Sequence, residues 1–298
     1  MTEPCAIASR GRGEPLFGTA SRARRWVLLE QPGAWGRNAL YESDLPPPVA
    51  DRLVRWSRDL PARVLLLRRP AGRRPRGRAR TLFVGISAPT GSWLERLTLD
   101  DVDDVLDLDL EHLADGRSVG GERLSQPLYL VCTNGKHDPC CARDGLPVVR
   151  ELTTMFEDRV WECSHVGGDR FAGNLVCLPD GHLYGHLDPA SARTVVAANE
   201  AGRVALDHWR GRSCLPFAVQ AAESLLRTRF GLGTDTDLRV LRYTADGTRH
   251  RVSFGRADGA RIDTTVETTS GPLQVALTCA GPPASIPSYA LTDVRLTA

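Results

Sequence analysis

The sequence predicts an α/β (α+β) protein. It reads as two βαβββα units in tandem, followed by a helix and a small antiparallel β-sheet. Three observations carry this prediction. Short apolar runs of strand length alternate with amphipathic segments of helical period. The order in which they do so is repeated once. The C-terminal stretch instead alternates apolar and polar residues between Asp-Gly turns, the signature of hairpins.

The 298 residues suffice for two domains at roughly 100–200 residues each. Hydrophobic content of 42% and charged content of 25% are those of an ordinary globular protein. A net charge of +2 gives no reason to expect nucleic acid or a membrane surface as partner. No apolar run approaches the ~20 residues of a membrane span. The N-terminal residues carry arginines but no apolar core, so no secretory signal is read there. The expected location is cytoplasmic, where cysteines more often serve metal or redox chemistry than structural disulfides.

Residues 1–22 read as a flexible basic lead-in, and 23–118 as a first unit that lacks cysteines. Trp26–Glu30 is its first strand, Val49–Asp59 its helix, and Arg63–Leu67 its second strand. The helix carries Val49, Leu53 and Trp56 on one face and ends before Pro61. An arginine-rich loop, Arg68–Arg80, reads as a solvated connection, with an anionic docking patch as the alternative. Two strands, Thr81–Ser87 and Trp93–Leu97, and an acidic helix over about Asp100–Leu113 complete the unit. Gly116–Gln126 reads as a linker.

The second unit spans 124–212. Pro127–Val131 is a strand, Cys141–Glu157 a helix striped by Leu146, Val149, Leu152 and Phe156, and Val160–Cys163 the next strand. Asn174–Leu178 and Leu183–Leu187 flank a Pro-Asp-Gly turn. Ala190–Trp209 reads as one long helix capped by Asp188. Residues 213–298 give a helix over Ser213–Phe230, then strands Leu238–Thr244, Thr248–Phe254, Arg261–Glu267 and Leu273–Thr278. Cys214 and Cys279 read as packed thiols.

The chemistry concentrates between Cys132 and His186. Five of the eight cysteines and four of the seven histidines fall in this stretch. Cys132 ends a strand. Cys140 and Cys141 open a helix, whose N-terminal N–H groups favour a thiolate. Cys163 and His165 end the neighbouring strand, and Gly167 and Gly168 let the backbone wrap a bulky group. Thiolates with imidazole suit zinc, thiol–disulfide exchange or an iron–sulfur cluster. The spacing leaves all three open. His137 reads as a surface histidine, His182 and His186 as a structural pair on one strand face, and Cys177 as a core thiol. Arg170 reads as an ion-pair partner of Asp169.

The segment CTNGKHDPCCARDG…VWECSHVGGDRFAGNLVCLPDGHLYGHLDP resembles the sucrase/ferredoxin-like family, a group of thioredoxin-like [2Fe–2S] ferredoxins. The resemblance implies a thioredoxin-like fold and soluble electron transfer through a [2Fe–2S] cluster. Its partners would be an unidentified reductase and acceptor. Cys132 and Cys141 match the family's two cysteine ligands, and His165 the first histidine of its HxGGH motif. Asp169 stands where the motif has its second histidine. The expected ligands are Cys132, Cys141, Cys163 and His165, with Cys140 and Asp169 as alternates. Gly167, Gly168 and Arg170 are expected to line the cofactor. The alternatives are a metal-free thiol redox enzyme, or a binding module whose site is lost or holds zinc. No paired carboxylates support sucrase chemistry.

Overall fold

The computed structural model describes residues 3–70 and 77–297. Its architecture is α+β, with one mixed ten-stranded sheet and one antiparallel four-stranded sheet. The first unit contributes β1 (Arg25–Glu30), α2 (Pro47–Asp59), β2 (Ala62–Arg68), β3 (Arg80–Ile86) and β4 (Trp93–Leu99). A helix before them, α1, spans Cys5–Gly11. The second unit contributes β6 (Leu128–Cys132), α3 (Pro139–Met155), β7 (Val160–Cys163), β8 (Leu175–Leu178), β9 (His182–Tyr184) and α4 (Pro189–Glu200). Between the units lies β5 (Glu122–Arg123), and after them β10 (Trp209–Arg212).

Strand order in the large sheet is β10-β9-β8-β6-β7-β2-β1-β3-β4-β5. In the first unit β1 pairs β2 in parallel and β3 antiparallel. In the second, β6 pairs β7 in parallel and β8 antiparallel. Each unit therefore has a thioredoxin-like strand order about a central buried strand. The strand runs RWVLLE and LYLVC are apolar on both faces, as central strands must be. The units join edge to edge, where β2 runs antiparallel to β7 with Leu67 opposite Cys163 and Arg68 opposite Glu162. Glu162 accepts from Arg68 Nη2 at 2.7 Å, and Ser164 N donates to Leu66 O at 2.8 Å.

The C-terminal part is α5 (Phe217–Phe230) and the strands β11 (Leu238–Asp246), β12 (Arg249–Arg256), β13 (Arg261–Ala276) and β14 (Pro283–Thr297). Leu226 and Val219 of α5 pack with Val252, Phe254, Ile262 and Val266 of the second sheet.

Several elements differ from the sequence reading. The lead-in is not free: Cys5, Ala6 and Ala20 are fully buried. The acidic stretch forms two short 3₁₀ turns, Val102–Asp107 and Glu111–Asp115, in place of one helix. Asp101 and Asp104 cap the first of them, and Asp prefers such caps to helix interiors. α4 stops at Glu200, before Gly202 with φ +65°, and Trp209 begins β10. Asp188 does cap α4, accepting from Ser191 N at 2.8 Å. β13 runs through the break expected between Glu267 and Leu273, with a register shift between Ser270 and Gln274. β14 follows it on the sheet edge, the position where the prolines Pro283 and Pro287 are tolerated. Within the arginine-rich loop, residues 71–76 lie outside the described residues. Its described flanks are paired, Arg68 to Glu162, Arg69 to Glu30 and Arg78 to Asp101.

α5 is tied to the large sheet by buried charge. Glu223 accepts from Arg212 of β10 at 3.0 Å and from Arg227 at 2.8 Å, and all three are buried. Removing the carboxylate leaves buried Arg227 without a carboxylate partner and Arg212 with Asp235 alone, a loss worth about 3–5 kcal/mol. Glu223→Ala is therefore expected to lower unfolding free energy by about that amount in denaturant titrations.

Candidate metal centre

β6 delivers Cys132 to the middle of the large sheet, where its amide donates to Asn174 O at 3.0 Å. Asp138 caps α3 by accepting from Cys140 N at 2.9 Å, and this starts the helix so that Cys141 faces β6. The inner face of α3 is Cys141, Gly145, Val148, Val149 and Leu152 rather than the predicted stripe through Leu146. Gly145 makes the approach possible. A methyl group there would lie 2.2 Å from the Cys132 carbonyl oxygen. The turn after β7 then carries His165 back over the two sulfurs.

Donor atoms of Cys132, Cys141 and His165 lie within 4.8 Å of one another. A second, overlapping group joins His137, His165 and Asp169 within the same limit. Cys141 Sγ is 3.2 Å from Asp169 Oδ1. His165 Nδ1 is 3.0 Å from Asp169 Oδ1 but off the line of a hydrogen bond, so this buried nitrogen has no hydrogen-bond partner. His137 Nε2 is 3.6 Å from Asp169 Oδ2. The two imidazoles stack with ring centroids 3.7 Å apart and planes inclined by 16°.

Cys132 and Cys141 are sealed in, at 1% and 0% exposure, whereas the side chains of His165 and His137 keep 22% and 27%. Those edges help line a surface depression of about 420 Å³ together with Arg37, Glu42 and Asn134.

The group shares its protons unevenly. The Cys132 thiol is held well below its ordinary value, chiefly by a hydrogen bond from Cys141 and then by His165, which outweigh burial. Cys141 is correspondingly pushed up by Cys132 and by burial. Burial alone would lower His165, but Asp169 and Cys132 raise it to about 9. Burial opposes ionisation of Asp169, yet His165 and Cys141 bring its pKa down.

Two guanidiniums lie within electrostatic reach of this negative charge. Arg63, on β2 of the first unit, donates to His165 O at 2.9 Å. Burial lowers its pKa, and the charges of Cys132 and Cys163 oppose that. Arg210 of β10 is 1% exposed and donates to Gly167 O at 2.9 Å and Asn174 Oδ1 at 2.7 Å. Burial lowers it to about 9, against the fields of Asp169 and Cys132.

The remaining predicted residues fall elsewhere. Cys163 is in register with Cys132 and fully buried, but it is not a member of either donor group. Cys140 points away from Cys141, toward Cys5 and Cys279. Gly167 and Gly168, at φ +91° and +82°, turn the chain tightly against Ser21 and Arg210. Arg170 pairs with Glu14 at 2.6 Å, not with Asp169. His182 and His186 do not form a pair: His182 binds Asp235 at 2.9 Å, and His186 lies 3.0 Å from Arg170 O. Cys177 packs beside Tyr129, Leu175 and Tyr184. His137, read from the sequence as a surface histidine, joins His165 and Asp169 in the second donor group. Its place in the turn between Cys132 and Cys140 was the available signal.

Fold and site together define a thioredoxin-like protein with a buried thiol–imidazole centre. A family model described as sucrase/ferredoxin-like matches residues 16–211, about two-thirds of the chain. The chain belongs to that family. No curated protein and no solved structure matches it.

Gly145→Ala sets helix propensity, worth about 1 kcal/mol in its favour, against overpacking of about 1–3 kcal/mol onto the Cys132 carbonyl. The contact is with backbone, so overpacking is expected to win. Equilibrium denaturation should show a net loss of stability.

Proposed function

We propose that this protein is a one-electron carrier whose [2Fe–2S] cluster is held by Cys132, Cys141, His165 and His137. One observation carries the reading: two buried thiols and the His165 imidazole converge within 4.8 Å of one another beneath a depression that reaches them through imidazole edges. The donor set suits such a cluster, since thiolates and imidazoles are its usual ligands. His137 replaces Cys163 as the fourth donor because it stacks on His165 at the site. Asp169 is assigned an orienting role, because a carboxylate is a poor partner for soft iron–sulfur chemistry and it already faces both imidazoles.

When bound, the cluster supplies a site that accepts and releases one electron. The chain does the rest. Leu130, Trp161 and Val166 pack around the cysteines and exclude water. Arg63 and Arg210 favour added negative charge and so raise the reduction potential. The imidazole edges in the depression give a redox partner its shortest route. Burial of both cysteines argues against the thiol-enzyme alternative, since a disulfide substrate would have to reach a sulfur that solvent does not.

EPR of the dithionite-reduced protein and its variants tests the assignment. His137→Ala and His165→Ala are each expected to change the signal and to remove nitrogen hyperfine coupling from one imidazole. Cys163→Ser and Cys177→Ser should retain the wild-type signal. A cluster unaltered in His137→Ala and abolished in Cys163→Ser would contradict the proposed set.

A further inference from the structure

A second group of thiols stands apart from the centre above. Cys5 opens α1, Cys140 lies in the first turn of α3, and Cys279 lies in the loop between β13 and β14. Their sulfurs form a triangle, with 3.7 Å from Cys5 to Cys140, 3.4 Å from Cys140 to Cys279 and 3.5 Å from Cys279 to Cys5. Asp138 completes the group, with a carboxylate oxygen within 4.8 Å of all three sulfurs. Cys5 and Cys140 are 0% and 1% exposed, Asp138 is 1% exposed, and Cys279 is half-buried.

We propose that Cys5, Cys140, Cys279 and Asp138 bind one structural zinc ion. Thiolate sulfur with one oxygen donor is a ligand set that zinc accepts in closed tetrahedral sites. Bonds of ~2.3 Å place tetrahedral sulfurs roughly 3.8 Å apart, and the triangle's edges fall within a few tenths of an ångström of that. They are far longer than the ~2.05 Å of a disulfide. They are also too short for a polynuclear cluster, which spreads its thiolates over several metal atoms. One ion fits the triangle.

The surrounding amides fit the same occupant. Cys5 N donates to Cys279 Sγ at 3.4 Å. Asp138 accepts from Cys279 N at 2.6 Å and from Cys140 N at 2.9 Å, which leaves each of its oxygens a lone pair for the metal. Such outer contacts fix ligands in place before the metal arrives.

The donors come from distant parts of the chain, with Cys5 and Cys279 separated by 274 positions. Both lie outside the 16–211 stretch that the family model matches. The site would pin the N-terminal helix and the C-terminal sheet to the start of α3, one residue from Cys141. It does not depend on what the other centre holds.

The test is zinc analysis of the full chain purified without added chelator. About one zinc per chain is expected. It should be lost in Cys279→Ser and in Cys5→Ser, and kept in the Cys132→Ser/Cys141→Ser double variant. Chelation should lower the melting temperature of the wild type and leave that of Cys279→Ser unmoved. Zinc retained in both single variants, or lost from the double variant, would overturn the assignment. So would a Cys140–Cys279 disulfide in the wild type. If the single variants do not fold, cobalt(II) added to metal-free Cys132→Ser/Cys141→Ser protein decides. A thiolate-to-cobalt charge-transfer band displaced by zinc supports the site, and its absence overturns it.

Discussion

Charge buried at the end of β6 constrains the rest of the molecule. Cys132 lies inside an apolar cluster with its thiol pKa held well below the ordinary value, and an uncompensated thiolate there would cost several kcal/mol. Its neighbours answer that cost in a graded way. Cys141 donates to it, and His165, whose pKa is raised by Asp169 and by Cys132, stands beside it. Arg63 and Arg210 then offset the added carboxylate. These five groups arrive on α3, the β7 turn, β2 and β10, so the site needs strands from both units and from beyond them.

This gives the cysteine-poor first unit a function. Its β2 edge pairs with β7, extends one sheet across both units and puts Arg63 at His165. Buried polar groups along the seam are matched: Glu162 takes Arg68 and Thr133, while Glu30 takes Arg69. Each unit keeps one flank of the sheet covered by its helix. The two cores are separate apolar clusters, with Leu53 and Trp56 in one and Val149 and Leu152 in the other.

Much of this was legible in the sequence where the causes are local. Central strands showed as apolar runs, α4 as a helix start capped by Asp188, and the second sheet as Asp-Gly hairpins. The crowding of cysteine and histidine marked the stretch from which the fold brings Cys132, Cys141 and His165 together. What stayed hidden depends on contacts across the chain. Nothing near Cys5 or Cys279 in sequence announces that they meet Cys140. His137 looked like a turn residue because only the fold stacks it on His165. Arg170 sat beside Asp169 in sequence, but the 3₁₀ turn at Asp169–Phe171 sends its guanidinium to Glu14. The same holds for Cys163, which strand register puts beside Cys132 without bringing it into either donor group.

The central claim is that Cys132 and Cys141 anchor a two-iron cluster. Iron and acid-labile sulfide, measured with the visible spectrum on protein purified without oxygen from an iron-replete host, test it most directly. About two irons and two sulfides per chain are expected, with charge-transfer bands that bleach on reduction by dithionite. A colourless, iron-free protein whose Cys132 and Cys141 are both free thiols would contradict it.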